Sequence, residues 1–111
     1  MLIEVGGRKI EWDDDKAAAN IKNHDVYFDD AARVFLDDSR IEDHDDKHSD
    51  HEDRWITIGM VDKILCVIYT ERGETTRLIS ARKATKREKE LYYGQYTDLQ
   101  RHAAFDWRAK G

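Results

Sequence analysis

Apolar and polar positions in the second half of the chain follow the pattern of β-strands. Three stretches rich in β-branched and aromatic residues, at 54–61, 63–70 and 74–82, follow one another closely. Only short turns separate them, near Asp62 and Gly73, and strands joined by such short turns pair antiparallel. The pattern therefore predicts a three-stranded antiparallel meander.

Helical patterns lie on both sides of this meander. Asp13 is a typical N-cap residue, and it predicts a helix that ends at about His24. A shorter second helix is predicted over 29–36, where small and apolar residues recur at helical spacing. Thr85 and Glu88 form the T-x-x-E pattern of a capping box, which predicts that the last helix begins there.

The N-terminal segment and the chain length complete the predicted fold. Residues 2–5 and 9–12 lie on either side of Gly6 and Gly7, and this arrangement predicts a small hairpin. The chain, 1–111, is predicted to be one α+β domain. It would contain two N-terminal helices, a three- to four-stranded antiparallel sheet and a C-terminal helix.

The length of the apolar runs bears on the cellular location of the protein. The longest apolar run, 64–69, has the length of a strand rather than of a membrane span, so we predict a cytoplasmic protein that does not contact a membrane. The single cysteine, Cys66, lies within this run. It is predicted to be a buried structural thiol, because no adjacent cation or local motif marks it as activated.

The formal net charge of −5 hides two segments of opposite sign. Residues 37–53 hold nine acidic and two basic side chains, whereas residues 72–89 hold seven basic and two acidic ones. This asymmetry is typical of a protein that meets a polyanion on one side, and a merely solvated face is the alternative. Strand alternation predicts that Arg82, within the basic segment, shares a face with Ser80 and Leu78.

Three histidines lie among the carboxylates of the acidic segment: His44, His48 and His51. Such side chains can bind zinc or manganese when three of them converge. Their spacing matches no recognised ligand motif, and the segment is strongly polar. We therefore predict a solvated loop without a metal, with a metal site as the alternative.

The junction between the last strand and the last helix resembles the BrnT family, the ribonuclease toxins of bacterial type II toxin-antitoxin systems. Members of that family typically carry an R-x-I-S-A-R-x-A-x-x-x-E-x-x-x-Y pattern. The matching residues in this chain are Arg77, Ile79, Ser80, Ala81, Arg82, Ala84, Glu88 and Tyr92.

The resemblance covers roughly residues 10–93. The opening W-D-x-x-K-x-x-x-N-x-x-K-H-G-V-x-F pattern and the A-x-x-V-F element that follows are matched at Trp12, Asp13, Lys16, Asn20, His24, Val26, Phe28, Ala31, Val34 and Phe35. The central E-E-R-x-x-x-I-G and Y-T-x-R patterns are matched at Glu52, Asp53, Arg54, Ile58, Gly59, Tyr69, Thr70 and Arg72. Two positions differ: the lysine before the histidine has moved to Lys22, and Asp25 replaces a glycine, so Asp25 must adopt a left-handed helix cap.

The resemblance implies a metal-independent endoribonuclease with a RelE-like toxin fold and no cofactor. It also implies RNA as the substrate, a BrnA-type antitoxin as the partner, and contact with operator DNA only through that antitoxin. Two alternatives remain open. In the first alternative, the chain is a non-catalytic corepressor module that joins an antitoxin. In the second, it is a degenerate toxin whose active surface has diverged, as Asp25 and Lys22 would indicate.

Cleavage of RNA by its own 2′-hydroxyl requires proton removal, protonation of the leaving 5′-oxygen and stabilisation of charge on the phosphate. Arginine suits the last task because its planar fork can bind two phosphate oxygens at once. The candidate catalytic residues are Arg82, Arg72, Glu88, Lys16 and His24. The candidate RNA-binding residues are Arg77, Lys83, Lys86, Arg87 and Asn20.

Several candidates have a structural alternative. The helical phase of Glu88 directs it toward the sheet, where it can pair with Arg82 and serve as a proton acceptor, but a role limited to helix capping is the alternative. His24 is predicted to be a hydrogen-bonded core histidine in preference to a general base. Lys16 and Asn20 share one helix face, and a solvated role and an RNA-binding role are equally open for both.

The C-terminal tail extends beyond the resemblance. The last helix is expected to direct an apolar stripe toward the sheet, formed by Leu91, Tyr92, Tyr96, Leu99 and Ala103. Phe105 and Trp107 are predicted anchors for the antitoxin, and a terminus that rests on its own domain is the alternative.

Overall fold

A computed structural model describes residues 1–95 of the chain. Its strands are β1 (Leu2–Val5), β2 (Arg8–Glu11), β3 (Ile41–His44), β4 (Arg54–Val61), β5 (Lys63–Arg72) and β6 (Thr75–Lys83). Its α-helices are α1 (Asp14–His24), α2 (Phe28–Ala32) and α3 (Lys86–Gly94), and a short 3₁₀ helix, Arg33–Leu36, continues α2. The predicted positions Tyr96, Leu99, Ala103, Phe105 and Trp107 lie outside the described residues.

The strands form one mixed six-stranded sheet with the order β1-β2-β6-β5-β4-β3. The predicted meander β4-β5-β6 is confirmed as its centre, and the predicted hairpin β1-β2 is also confirmed. The prediction of a three- to four-stranded antiparallel sheet was wrong, because β2 pairs in parallel with β6 and attaches the hairpin to the meander. The predicted acidic loop also contributes a strand, since β3 pairs antiparallel with β4 at the edge of the sheet.

A register shift in β6 decides which side chains share a face. Ser80 pairs with Ile68 and Leu78 pairs with Tyr69, so the intervening Ile79 has no partner across the strands. An extra residue of this kind reverses the alternation that follows it. Leu78 therefore faces the opposite side of the sheet from Ser80 and Arg82, and the prediction that all three share one face was wrong.

Helices α1 and α2 cover one side of the sheet, called the helix face here. Its strand residues are Leu65, Val67, Tyr69, Leu78 and Ala81, and all of them are buried. Aromatic rings complete this core, since Trp12 contacts Phe28 and Phe35 contacts Tyr69 edge to face. Burial of each large apolar side chain stabilises the fold by about 1.5–3 kcal/mol.

Local sequence determines where α1 begins and ends. The side chain of Asp13 accepts a hydrogen bond from the backbone N–H of Asp15 (2.9 Å), as expected for an N-cap. Asp25 closes the helix with φ 56°, and its N–H donates to the carbonyl of Ile21. The predicted left-handed cap at Asp25 is therefore confirmed.

Helix α3 covers only one end of the opposite side of the sheet. Tyr92 is buried there in a second apolar cluster with Ile58, Ile64 and Cys66. Its hydroxyl donates a hydrogen bond to Asp37, which ties the helix to the segment that follows the 3₁₀ helix. Among residues 1–95, no other α-helix packs on that side of the sheet.

No helix of the described part of the chain has the length and apolar character needed to cross a membrane.

Candidate active site on the arginine face

The side of the sheet opposite the helix face carries four arginines on β4, β5 and β6, and we call it the arginine face. Strand alternation places them with Ile56, Ile68 and Cys66 and opposite the helix face. The four residues are Arg54 on β4, Arg72 on β5, and Arg77 and Arg82 on β6.

Arg82 lies at the end of β6, where Glu88 fixes its guanidinium. Nη1 of Arg82 donates to Oε1 of Glu88 at 2.7 Å, and Nη2 donates to Oε2 at 2.9 Å. The Glu88 side chain is only 6% exposed, whereas that of Arg82 is 38% exposed. The pairing predicted for these two residues is confirmed, and it holds the arginine with one edge on a buried carboxylate and another toward solvent.

Helix capping places Glu88 in this position. Thr85 accepts a hydrogen bond from the N–H of Glu88, while Oε1 of Glu88 accepts one from the N–H of Thr85 at 2.8 Å. The predicted capping box is therefore confirmed. Glu88 caps the helix and binds the arginine at the same time, so the two proposed roles are compatible.

The protonation states of the pair follow from these contacts. Burial alone would raise the pKa of Glu88, but the hydrogen bonds from Arg82 and Thr85 outweigh it and lower the pKa below its usual value. The same contact raises the pKa of Arg82. Both groups are charged at neutral pH, so Arg82 supplies a permanent positive charge and Glu88 is a weak proton acceptor.

Cys66 lies beneath this pair and is inert. The residue is buried, as predicted, on the strand position paired with Arg82. Burial, reinforced by the negative charge of Glu88, raises the pKa of its thiol to about 12. A thiol that stays protonated at neutral pH is not a nucleophile.

The other arginines extend the positive surface away from Arg82. Arg77 contacts Glu11 of β2, and Arg72 lies 3.5 Å from Glu52. Arg72 is six residues along β5 from the strand position paired with Arg82, which corresponds to about 20 Å. Arg72 and Arg82 therefore cannot bind the same phosphate, although both were predicted to be catalytic.

The candidates from α1 lie on the other side of the sheet. Asn20 is buried, and its amide donates to the carbonyls of Val26 (2.9 Å) and Ala81 (2.8 Å) and accepts from the N–H of Ala81 (3.0 Å). Its side chain holds α1 to β6 and is not available to RNA. Lys16 and His24 are exposed on α1, so the expectation of a core histidine at His24 was wrong.

The basic side chains near α3 divide between two directions. Lys83 follows Arg82 in the strand and therefore points to the opposite side, where its Nζ lies 3.9 Å from Asp25. Lys86 and Arg87 are exposed in the first turn of α3. Lys86, Lys89, Glu90 and the exposed Tyr93 line a shallow groove on that helix, in which two cations outnumber one carboxylate. The predicted basic surface therefore continues from Arg82 along α3 but not through Lys83.

Two of the three histidines of the acidic segment, His44 and His48, pair with carboxylates. His44 contacts Asp46 and lies 3.1 Å from Asp53, and these two carboxylates raise the pKa of its ring. His48 lies 2.9 Å from the buried Asp45. Within residues 1–95, no three side chains of His, Cys, Asp or Glu converge in an arrangement that could hold a metal ion.

Arg54 is a candidate that sequence reasoning omitted. It matches the central pattern of the family, but its place at the start of β4 did not distinguish it from any other strand-end residue. The sequence does contain a signal for Arg54, because it lies two and four residues before Ile56 and Ile58 and therefore shares their face of β4. The pairing of the meander places that face on the same side of the sheet as Arg82.

Comparison with known proteins identifies the family of the chain. The sequence model of the family described as "Ribonuclease toxin, BrnT, of type II toxin-antitoxin system" matches residues 12–88. The chain belongs to the BrnT family of ribonuclease toxins. The match includes Arg54, Arg72, Arg77, Arg82 and Glu88.

A solved BrnT structure has the same architecture. The crystal structure of the Brucella abortus ribonuclease toxin BrnT is 28% identical in sequence and superposes with a TM-score of 0.54. The similar region covers 69% of this chain and 96% of that chain. No curated protein shows significant sequence similarity to the chain. As a member of a type II toxin-antitoxin family, this chain is a ribonuclease toxin with an antitoxin partner and an RNA substrate.

Proposed function

We propose that this BrnT-family toxin is a metal-independent endoribonuclease with a RelE-like fold that inhibits translation by cutting RNA on its arginine face. The observation that carries the proposal is the contact of Arg82 with the buried Glu88, at the border of a face with three more arginines. A cation held in one orientation stabilises developing negative charge without having to reorganise during the reaction.

Arg82 retains donors for a phosphate. A guanidinium has five N–H groups. In this structure two donate to Glu88 and one donates to the carbonyl of Lys83. The two that remain can bind non-bridging phosphate oxygens as charge accumulates on them during attack by the 2′-hydroxyl.

Glu88 is proposed as a positioning residue rather than as the general base. Its lowered pKa makes it a poor proton acceptor, and both of its carboxylate oxygens already accept hydrogen bonds. Lys16 and His24 lie beyond the sheet from Arg82, so the proposal includes neither of them in the catalytic group. Arg72 and Arg77 are assigned to RNA binding.

The partner and location form part of the same proposal. A BrnA-type antitoxin silences the toxin most simply by covering the arginine face and α3, and it provides the only contact with operator DNA. The chain is proposed to act in the cytoplasm as one domain without a cofactor. A degenerate toxin is disfavoured, because Asp25 adopts its cap with the expected hydrogen bond and lies by Lys83, away from Arg82.

The test is cleavage of a defined single-stranded RNA by the purified toxin in the presence of a metal chelator. We expect cleavage that the chelator does not reduce, and products with 2′,3′-cyclic phosphate ends. The Arg82→Lys variant keeps a positive charge beside Glu88 but lacks the fork, and it should cleave at least tenfold more slowly. Absence of cleavage by the unaltered toxin, with its antitoxin still bound and operator DNA still recognised, would favour the corepressor alternative.

A further inference from the structure

Arg54 differs from the other arginines of its face because no carboxylate of residues 1–95 forms an ion pair with it. Arg72, Arg77 and Arg82 each contact their own glutamate, at Glu52, Glu11 and Glu88. The guanidinium of Arg54 has neither an ion pair nor a hydrogen-bond acceptor among residues 1–95. The charges of the three paired arginines are each balanced by a neighbour, whereas the charge of Arg54 is not.

The surroundings of Arg54 hold its backbone but leave its side chain unsatisfied. Its N–H donates to Oγ of Ser49 at 3.0 Å, and its carbonyl accepts from the N–H of Asp45 at 2.8 Å. Its Nε is buried and has no hydrogen-bond partner. A buried donor without an acceptor is costly in a folded protein. The terminal Nη atoms of the same guanidinium also donate to no described residue, and they are not fully buried, so a ligand can reach them.

The position of Arg54 relative to Arg82 fits one continuous strand of nucleic acid. Arg54 pairs with Thr70 on β5, and Arg82 pairs with Cys66 four residues away on the same strand. Strand geometry then gives about 16 Å between the two Cα atoms. The half-buried Ile68 and Ser80 lie between them and provide a floor that is partly apolar and partly polar.

A phosphate is the ligand that this arrangement favours. The neighbouring glutamates repel any anion, whether a carboxylate or a phosphate. A nucleic acid strand compensates for this repulsion because it contacts several arginines at once and because its counterions are released on binding, which raises the affinity. The fork of an arginine matches two oxygens of one phosphate. The separation of about 16 Å between the Cα atoms of Arg54 and Arg82 also exceeds the spacing of neighbouring phosphates in a single strand, so Arg54 is placed to bind a phosphate other than the one that Arg82 holds.

We propose that Arg54 binds a backbone phosphate a few nucleotides away from the cleaved bond and thereby holds the RNA strand across the arginine face. The inference rests on the proposed function for the identity of the strand as substrate. It adds a binding site that is separate from the catalytic arginine.

The test measures binding and cleavage separately. Binding uses a single-stranded RNA with 2′-O-methyl groups, which cannot be cut, titrated onto the unaltered toxin and onto Arg54→Ala, Arg54→Lys and Arg33→Ala. Arg33 is the matched control, because it is an exposed arginine on the 3₁₀ helix and is paired with Asp30. Each variant is first shown to be folded by circular dichroism.

We expect Arg54→Ala to bind the uncut RNA at least tenfold more weakly. The slope of log affinity against log salt should fall by about the contribution of one phosphate contact. Arg54→Lys should retain that slope, and Arg33→Ala should change neither quantity. In cleavage assays Arg54→Ala should raise KM and leave kcat within about twofold, as expected when binding away from the reacting bond is lost.

An unchanged affinity and salt slope in Arg54→Ala would overturn the inference, and so would a loss confined to kcat. If Arg54→Ala does not fold, Arg54→Gln takes its place, because it keeps a long polar side chain without the charge, and an unchanged affinity and salt slope in that variant would overturn the inference. The proposed function fails independently, because a toxin that binds the uncut RNA through Arg54 but cleaves no RNA would keep the inference and lose the ribonuclease activity.

Discussion

The amide of Asn20 on the helix face makes three hydrogen bonds to backbone groups, whereas the guanidinium of Arg82 on the arginine face makes three and keeps two donors for a ligand. Both residues match sequence patterns of the same family, so those patterns alone could not separate their roles. Burial separates them, since Asn20 is inaccessible and Arg82 is partly exposed. A family residue with every polar group satisfied internally holds the fold together, and one with a donor toward solvent is available for chemistry.

Replacement of Arg82 should have the largest effect on activity. Arg82→Ala removes the cation proposed to stabilise the phosphate, and we expect kcat to fall by about 10² to 10³, equivalent to about 3–4 kcal/mol. It also leaves Glu88 buried without its partner, which should lower the free energy of unfolding by about 1–3 kcal/mol. The measurements are single-turnover cleavage at a temperature at which the variant is folded, and denaturant unfolding.

Arg33→Ala is the control for this change, because it also removes an ion-paired arginine but lies away from the arginine face. An equal loss of cleavage in both variants would mean that the effect of Arg82 reflects overall charge.

Replacement of Asn20 should reduce the stability of the fold and leave cleavage activity almost unchanged. Asn20→Ala leaves the N–H of Ala81 and two carbonyls without their partner, and we expect the free energy of unfolding to fall by about 2–3 kcal/mol. Cleavage by the folded fraction should remain close to that of the unaltered toxin. Chemical denaturation and cleavage assays on the same preparation measure both quantities.

The exposed Asn23 on the same helix supplies the matched control for Asn20. If Asn20→Ala proved as stable as Asn23→Ala and yet failed to cleave RNA, Asn20 would belong to the active site and the distinction between the two faces would not hold.

The pH dependence of stability should reveal the pair of Glu88 and Arg82. The pKa of Glu88 is lowered in the folded state, so its contribution is present above its ordinary value of 4.5 and is lost as the pH falls through the folded value. Glu88→Gln preserves a capping side chain but not the charge. We expect a difference in unfolding free energy of about 1 kcal/mol at neutral pH, since the partly exposed Arg82 is screened by solvent.

This difference should shrink as the pH falls below 4.5 and disappear below the lowered folded-state pKa of Glu88, where the side chain is protonated in the unaltered toxin too. Asp37 also has a lowered pKa, but it is present in both proteins, so its pH-dependent contribution cancels in the difference between their unfolding free energies. A difference that stays constant from neutral to acidic pH would show that the ion pair does not stabilise the fold.

Lys86 and Arg87 should have the smallest effects. Both are exposed in the first turn of α3, so Lys86→Ala and Arg87→Ala should each reduce RNA affinity modestly and flatten the salt dependence by about one phosphate contact or less. Titrations of an uncut RNA at several salt concentrations measure this slope. If neither change alters it, α3 does not contact the RNA backbone.

Local signals in the sequence were sufficient to predict the elements on which the site is built. The alternation of apolar residues predicted β4, β5 and β6, and the spacing of Thr85 and Glu88 predicted the start of α3, because turns and caps depend on neighbours in the chain. The contact of Arg82 with Glu88 followed from the same local geometry.

The features that sequence reasoning missed depend on residues far apart in the chain. The parallel pairing of β2 with β6 joins Lys9 to Thr75, and the few residues of β2 carry no signal for that partner. The extra residue Ile79 has no distinctive composition, yet it determines which side chains accompany Arg82. The separation of Lys16 and His24 from the arginine face likewise follows from packing across the sheet.

A double-mutant cycle on Arg82 and Glu88 tests the central claim most directly. The measurement is the single-turnover cleavage rate at saturating RNA for the unaltered toxin, Arg82→Ala, Glu88→Gln and the double variant, all confirmed to be folded. If Glu88 acts by holding Arg82, the double variant should cleave no more slowly than Arg82→Ala alone. A double variant whose loss equals the two single losses combined would contradict the account, because Glu88 would then act on the RNA independently of the arginine.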